Sequence, residues 1–155
     1  MATIRTGVSG EPLDMAGLVA SFDQGRTDIG AVVTFTGLCR DEDGRLDALE
    51  LEHYPGMAEA EIARIAHLAA ERWPVTDLTV IHRHGRVAPG EPIVLVIAAS
   101  KHRHAAFEAA EFVMDFLKTQ APFWKKEHAR DGTATGWVAA RDADDEAEAR
   151  WGKPS

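Results

Sequence analysis

The stretch from residue 100 to residue 130 carries the side chains best suited to chemistry. It holds six basic and four acidic residues, whereas the whole chain has 17 Lys and Arg against 25 Asp and Glu and a net charge of -8. A local basic segment on an acidic protein suits a small anionic ligand better than a nucleic acid, because binding to a phosphate backbone needs an extended basic surface. The sequence therefore predicts an anion-binding site here and no nucleic-acid partner.

The segment opens with Ser-Lys-His-Arg at residues 100–103, where an apolar run gives way to a long helical pattern. Serine is a favoured N-cap residue, and the unpaired N–H groups of a helix N-terminus attract anions. Arg103 adds a planar guanidinium that can hold two phosphate oxygens, and His102 can donate a hydrogen bond or a proton. Cations in a first turn oppose the helix dipole, so helix stability alone does not account for them. The alternative is a capped helix with a solvated basic first turn.

Two lysines lie further along the same segment. Lys118 borders the apolar stripe of the predicted helix near Met114, and Lys125 lies within Phe-Trp-Lys-Lys-Glu. A lysine framed by apolar side chains loses hydration, which lowers its pKa and makes it available as a nucleophile or base. The residue pattern by itself favours a plainer interpretation, in which both are surface lysines and Lys118 pairs with Asp115.

Arg40 and Cys39 end a β-branched segment. The Arg40 side chain can lean over a sheet edge into a cleft, or it can pair with Asp41 or Asp43 in the following turn. Cys39 is the one cysteine in the chain, which excludes an internal disulfide and a multi-cysteine zinc site. A single free cysteine is more often a small buried hydrophobe than a nucleophile.

Two His-x-His pairs, His82/His84 and His102/His104, raise the possibility of a metal site. On a strand, His82 and His84 share one face, as a metal site would require. At a helix start the second pair diverges by about 200°. A third ligand at a recognised spacing is missing from the sequence, so we predict no metal.

The elements that must position these residues follow one another without a linker or repeat. Periodicity predicts strands over residues 3–8, 30–38, 46–53, 78–87, 93–100 and 123–129, and helices over 14–22, 58–73, 107–121 and 143–151. The helical stripe of the second helix is expected to be Ala58, Ile62, Ile65, Ala69 and Trp73, and that of the third helix is expected to be Phe107, Ala110, Met114, Leu117 and Ala121. The strand over residues 93–100 is apolar enough to be central in its sheet.

Turn residues indicate how these elements are joined. Asp43-Gly44 predicts a hairpin in which strand 46–53 returns along strand 30–38. Because hairpin signals outweigh βαβ spacing, we expect one α+β domain over residues 1–155 with a largely antiparallel sheet. Residues 1–10 and 152–155 are expected to be flexible.

The longest apolar run, residues 93–99, is far shorter than the roughly 20 residues that cross a bilayer. The N-terminal residues lack the apolar segment of a signal peptide. With a single cysteine, these features lead us to expect a cytoplasmic protein with no membrane partner.

Five blocks of the sequence resemble, in order, the large, catalytic subunit of molybdopterin synthase: GAVVTFTGLCR, LELEHYPGM, VIHRHG, SKHRHAAFEA and MDFLKTQAPFWKKE. The resemblance spans residues 29–151 and implies an α+β fold of the α/β-hammerhead type. It implies a sulfurtransferase that converts cyclic pyranopterin monophosphate into molybdopterin without a metal or redox cofactor. The sulfur would come from the C-terminal Gly-Gly thiocarboxylate of a small ubiquitin-like partner subunit. Two large subunits would form a homodimer within a heterotetramer.

The resemblance also implies roles for particular residues. Lys118 matches the lysine beside the thiocarboxylate tail, and Lys125 matches a second essential lysine. The positions that match substrate-binding residues are Arg40, His102, Arg103, Phe35, Met114, Lys126, Glu127 and Arg141, the last of them reaching in from a neighbouring subunit. Two other interpretations remain open: a metal-dependent enzyme that uses the His-x-His pairs, and a non-catalytic protein that binds the ubiquitin-like tail.

Overall fold

The computed structural model describes residues 2–20, 25–137 and 142–152, and these ranges contain seven strands and four helices. In chain order they are β1 (Thr3–Ser9), α1 (Met15–Ala20), β2 (Ala31–Leu38), β3 (Leu46–His53), α2 (Met57–Arg72), β4 (Val75–Arg83), β5 (Gly85–Val87), β6 (Pro92–Ser100), α3 (Arg103–Gln120), β7 (Phe123–Ala129) and α4 (Asp142–Ala149). The strands form two sheets, and every strand pair except one is antiparallel. This confirms the predicted α+β class.

The larger sheet has the strand order β1-β4-β6-β2, with β1 parallel to β4. Strand β6 lies inside the sheet because its run of apolar residues can be buried on both faces. Val94 and Val96 enter the main core, whereas Leu95 and Ile97 enter a second apolar cluster on the other face.

Helices α2 and α3 cover the main-core face of this sheet. The predicted stripe of α2 is confirmed, since Ala58, Ile62, Ile65 and Ala69 are fully buried. The helix begins after Gly56, whose positive φ of 82° suits glycine. It ends before residue 74, a proline that cannot continue an α-helix.

The predicted stripe of α3 is confirmed at Ala110 and Leu117, which are buried, and wrong at Phe107, which is 58% exposed. The predicted stripe forms one edge of a wider buried face, and the largest core residues on that face are Phe112, Val113 and Phe116. Apolar residues occupy more than half of the circumference of this helix, so periodicity alone does not select one face. Packing against α2 and β6 selects the face with the larger side chains.

The predicted hairpin between β2 and β3 is also wrong. β2 pairs with β6 in the larger sheet, whereas β3 lies between β5 and β7 in a separate three-stranded sheet. The turn does close locally, with the Leu46 N–H donating to the Asp41 carbonyl at 2.9 Å. The strands diverge because the apolar face of β3, which includes Leu49 and Leu51, packs in its own cluster with Val87.

Two predicted boundaries also change. The strand predicted over 78–87 is divided at His84, and Gly85, with a φ of 90°, sends β5 into the smaller sheet. Residues 3–9 pair along their whole length with β4, which contradicts the expectation that residues 1–10 are flexible. Residues 153–155 lie outside the described part of the chain, so their expected flexibility stays a prediction.

The terminal helix α4 packs against α3. The Trp151 indole just beyond it donates to an Asp115 carboxylate oxygen at 2.6 Å, and the Arg72 guanidinium lies 5.9 Å from the Trp151 ring centroid. These contacts join the end of the chain to α2 and α3. Within the described ranges, none of the helices combines the length and apolar character needed to cross a bilayer.

Replacing Phe116 by Ala should lower the free energy of unfolding by about 3–5 kcal/mol, because it opens a cavity in a fully buried part of the core. Urea denaturation at neutral pH measures the change. Phe107→Ala on the same helix is the matched control and should cost less than about 1 kcal/mol. Equal losses in the two variants would contradict the assignment of the buried face.

Candidate active site

The two lysines predicted to be catalytic border one cleft from different elements. Lys118 is exposed near the C-terminal end of α3, and Lys125 is half-buried on β7. Both line a cavity of about 330 Å³, together with Arg40 just after β2. The chain reaches this arrangement because Pro122 cannot continue α3 and the next residue begins β7. Three cationic side chains from a helix, a strand and a distant turn therefore meet at one cavity.

Strand alternation decides which residues of β7 reach the cleft. Lys125 and Glu127, which pair with Leu51 and Leu49 of β3, share one face and line the cavity. Lys126 lies on the other face, where its ammonium is 4.5 Å from the Trp137 ring centroid. The structure thus brings two of the three predicted β7 residues into the cleft and places Lys126 outside it.

Arg40 reaches the cleft with most of its side chain, 74%, exposed to solvent. Its guanidinium Nη2 lies 3.6 Å from the Glu42 carboxylate, which replaces Asp41 and Asp43 as the turn partner predicted from the sequence. Glu42 and Asp43 both adopt positive φ angles in this turn. A loose, exposed ion pair of this kind leaves the guanidinium available to an anionic ligand.

A smaller and more apolar cavity of about 100 Å³ adjoins the cleft. Phe35 and Met114, both predicted to form pocket walls, line it together with Lys118. Leu38 and Ile93 line both cavities, as Lys118 does. Lys118 therefore lies at the junction of a polar and an apolar compartment.

The predicted anion site at the start of α3 lies far from this cleft. The helix begins at Arg103 with His102 as its N-cap, so about 22 Å of helix separates Arg103 from Lys118. His102 and Arg103 are both exposed. Ser100 is not the N-cap as predicted: it is buried as the last residue of β6, and its hydroxyl donates to the His102 carbonyl. Within one chain, His102 and Arg103 therefore lie too far from the lysines to share the cleft with them.

Arg141 lies outside the described residues, so its predicted role stays a prediction. Sequence reasoning missed Asp144, which lines the cleft from α4. Its acidic, solvated helix pattern carries no signal for such a role, because only the packing of α4 against α3 brings it to the cleft.

His82 is a second residue that the sequence did not place at this site. It lines the apolar cavity beside Lys118, and its ring stacks on Phe123 with centroids 3.8 Å apart. Burial lowers the pKa of His82 to about 4, so the imidazole is neutral at pH 7. Its sequence partner His84 instead packs on His53, with ring centroids 4.2 Å apart. Among the residues that the structure describes, no group of three or more His, Cys, Asp or Glu is placed to hold a metal ion.

This arrangement suits an anionic substrate with an apolar or planar part. Lys118, Lys125 and Arg40 can attract an anionic group and stabilise negative charge that develops in the cleft. Glu127 and Asp144 add hydrogen-bond acceptors to the same wall. The apolar compartment next to it can receive a ring or a narrow chain.

Comparison with known families identifies the protein family of this chain. The model of the MoaE protein family matches residues 8–120, well over half of the chain. The chain belongs to the MoaE protein family. Members of this family are catalytic subunits of molybdopterin synthase, an enzyme of molybdenum cofactor biosynthesis. The resemblance inferred from the five sequence blocks is thereby confirmed.

Relatives and solved structures agree with this membership. The chain is 62% identical over 151 residues to the molybdopterin synthase catalytic subunit of Brucella melitensis biotype 1. The aligned residues cover 97% of this chain and 93% of that protein. The structure of the molybdopterin biosynthesis MoaE protein from Burkholderia ambifaria MC40-6 matches with a TM-score of 0.79 and 47% identity, over 99% of each chain. A complex of subunits 1 and 2 of molybdopterin-converting factor from Helicobacter pylori 26695 matches with a TM-score of 0.68 and 24% identity, over 91% of this chain and 90% of that one, and supports the fold alone.

Cys39 behaves as the buried hydrophobe that the sequence favours. Its side chain is 3% exposed and packs with Leu46, Leu49 and Val87. Burial raises the pKa of the thiol, and the nearby carboxylates, including Glu42, raise it further. The residue borders the cleft of this MoaE-family protein without the thiolate character that a nucleophile needs.

We expect Cys39 in the folded protein to react with an aromatic disulfide reagent at pH 8 at least about 100-fold more slowly than in the guanidinium-unfolded chain. The raised pKa reduces the thiolate fraction, and burial blocks access of the reagent. Stopped-flow absorbance follows the reaction. Comparable rates in the two states would show that the thiol is accessible and ionised.

Proposed function

We propose that this cleft transfers sulfur to cyclic pyranopterin monophosphate and so produces molybdopterin. The observation that carries the proposal is the convergence of Lys118 from α3, Lys125 from β7 and Arg40 from the segment after β2 on one cavity. Membership of the MoaE protein family supports the substrate. The sulfur donor is the C-terminal thiocarboxylate of a small ubiquitin-like partner subunit, and the reaction takes place in the cytoplasm.

In this proposal the two lysines have different tasks. Each thiocarboxylate sulfur forms a carbon–sulfur bond to the pterin side chain, and water then cleaves the acyl–sulfur bond, so that the partner leaves with a C-terminal carboxylate. Two loaded partners act in turn: one sulfur displaces the phosphate oxygen and opens the cyclic phosphate, and the other replaces a side-chain oxygen that leaves as water. Lys118, at the junction of the two compartments, positions the acyl carbon and shuttles a proton. Lys125, which is half-buried on β7, stabilises the negative charge that develops at the thioacid oxygen. Arg40 binds the phosphate.

The partner tail has a route to these lysines. A cavity of about 510 Å³ lies between the turn at residues 41–45 and the turn at residues 130–135. It shares Glu42, Leu46 and Glu127 with the cleft, so the two spaces adjoin. A Gly-Gly terminus has no side chains and can thread such a passage in an extended conformation. The Helicobacter pylori protein of this fold was itself solved as a complex of two subunits.

We further propose that two copies of the chain form the dimer at the centre of a heterotetramer. Strand β2 is an edge strand, and it exposes 42% of Val32 and 55% of Leu38. Such an unpaired apolar edge favours association with a second chain. Since His102 and Arg103 cannot reach the lysines of their own chain, a second copy supplies them to the cleft. Arg141 is assigned to the same cross-subunit role.

Lys118→Ala should lower the rate of molybdopterin formation by at least about 100-fold, because the variant loses the charge at the junction of the compartments. The assay incubates the protein with thiocarboxylated small subunit and cyclic pyranopterin monophosphate and measures dithiolene product. Arg64→Ala, which removes an exposed cation on α2, is the matched control and should retain the wild-type rate.

Partner binding is measured in parallel by calorimetry, and circular dichroism checks that each variant is folded. Full conversion by folded Lys118→Ala would remove the proposed role of the lysine. Wild-type protein that binds the thiocarboxylated partner but forms no product would instead support a non-catalytic tail-binding function.

The shared site predicts complementation between two inactive variants. When Lys118→Ala and Arg103→Ala chains are mixed and allowed to exchange, activity should return to roughly a quarter of the wild-type level, because half of the dimers then carry one intact site. Size-exclusion chromatography with light scattering verifies the dimer. If each variant and their mixture were equally inactive, Arg103 would not act across the dimer.

A further inference from the structure

His82 is a polar residue in the apolar compartment to which the proposed reaction gives no task. It lines this cavity with Phe35, Met114 and Lys118. Its position is set by β4, where it pairs with Val94 of the central strand β6. The location is therefore rigid, and a polar ring in a mainly apolar wall has a hydrogen-bonding capacity that a hydrophobic residue would lack.

Two contacts fix the orientation and the tautomer of the ring. The Nδ1 atom lies 2.7 Å from the Arg83 carbonyl oxygen, and since a carbonyl can only accept, Nδ1 must carry the proton and donate. The ring face stacks on Phe123 with an interplanar angle of 20°. In the neutral imidazole, Nε2 then holds the lone pair and can accept a hydrogen bond.

We infer that His82 is a positioning residue for Lys118, holding the lysine ammonium at the junction of the two compartments through an acceptor at Nε2. The inference rests on the proposed function, in which Lys118 works beside the thiocarboxylate. A lysine on an exposed part of a helix has four rotatable side-chain bonds, so a fixed acceptor on the cavity wall would restrict the positions that its ammonium samples.

The electrostatic surroundings keep the His82 ring neutral, so that it can accept a hydrogen bond from the Lys118 ammonium without repelling it. Burial is the main cause of the low pKa of His82, and the hydrogen bond to the Arg83 carbonyl partly opposes it. Electrostatic interactions with Lys118 from α3, His53 from β3 and His84 beyond β4 lower the pKa further. A protonated His82 would repel the Lys118 ammonium. At pH 6–8 the ring is neutral, so it attracts the ammonium as a dipole.

The His82 ring lies close to the elements that carry both lysines. Phe123, on which His82 stacks, begins β7 two residues before Lys125. His53 of β3 stacks on Phe123 as well, with centroids 6.0 Å apart. His82 thus contacts the strand that carries one lysine and lines the cavity that contains the other.

The first test needs no turnover. In wild-type protein, 15N-detected NMR should show His82 as the Nδ1-protonated tautomer with a pKa of about 4. In Lys118→Met, which removes the charge but keeps the length, the pKa of His82 should rise by about half a unit or more. An unchanged pKa, or a ring protonated at Nε2, would overturn the inference whether or not the protein forms product.

The second test uses turnover with the thiocarboxylated partner. His82→Phe keeps the stacking on Phe123 but removes the acceptor, and its kcat should fall at least about tenfold while KM for the partner stays within about twofold. His82→Gln, which places an amide near the Nε2 position, should recover the rate to within about threefold of wild type. His84→Gln is the matched control and should retain wild-type turnover.

The outcomes separate the two claims. If His82→Phe matched wild-type kcat, or if the Gln and Phe variants lost activity together in step with their melting temperatures, the role of His82 would be structural and the inference wrong. If wild-type protein made no molybdopterin, the proposed function would fail, and the NMR titration would still decide whether His82 and Lys118 interact.

Discussion

The antiparallel ladder between β3 and β7 is the constraint on which the cleft depends. It holds Lys125 opposite Leu51 and places Glu127 two residues further along the same face. Pro122 makes this possible, because it cannot continue α3 and the chain passes directly into β7. The lysine near the end of the helix and the lysine near the start of the strand therefore border one cavity although their backbones belong to different layers. Without the ladder, Lys125 and Glu127 would no longer line the cavity opposite Lys118.

The cleft also depends on a division between polar and apolar surfaces. Leu38 and Ile93 separate a small compartment lined by Phe35 and Met114 from a larger one that contains the cations. Lys118 contributes to both compartments. A substrate that combines an anionic group with a less polar ring matches this division. The low exposure of Cys39 next to the cleft shows that packing, not nucleophilic chemistry, accounts for the one cysteine.

The described chain contains the lysines of the proposed site but keeps His102 and Arg103 at the far end of α3. An 18-residue helix is a stiff spacer, so this separation cannot be closed by side-chain motion. The exposed edge of β2 offers a surface through which a second copy can bring these residues near. Assembly would then be part of the chemistry, because neither copy would hold a complete set of substrate contacts.

The sequence by itself determined most of the elements and the chemical character of the site. The bounds of β3 and β7, the buried stripe of α2 and the central place of β6 were predictable, because alternation, helical spacing and proline act within a few residues of the chain. The resemblance carried by five sequence blocks identified Arg40, Lys118 and Lys125, and the structure places these three around one cavity.

Only the tertiary structure decided which of these features meet. The turn at Asp43 and Gly44 has hairpin chemistry, yet β2 and β3 pair in different sheets because each buries its apolar face in a separate cluster. Phe107 fits a helical stripe as well as Phe112 does, and packing with α2 and β6 chose between them. The sequence presents His82 only as a possible metal ligand, because its neighbours Phe123 and Lys118 are distant in sequence. Local patterns encode local structure, whereas a cavity is made by residues whose contacts appear only when the layers pack.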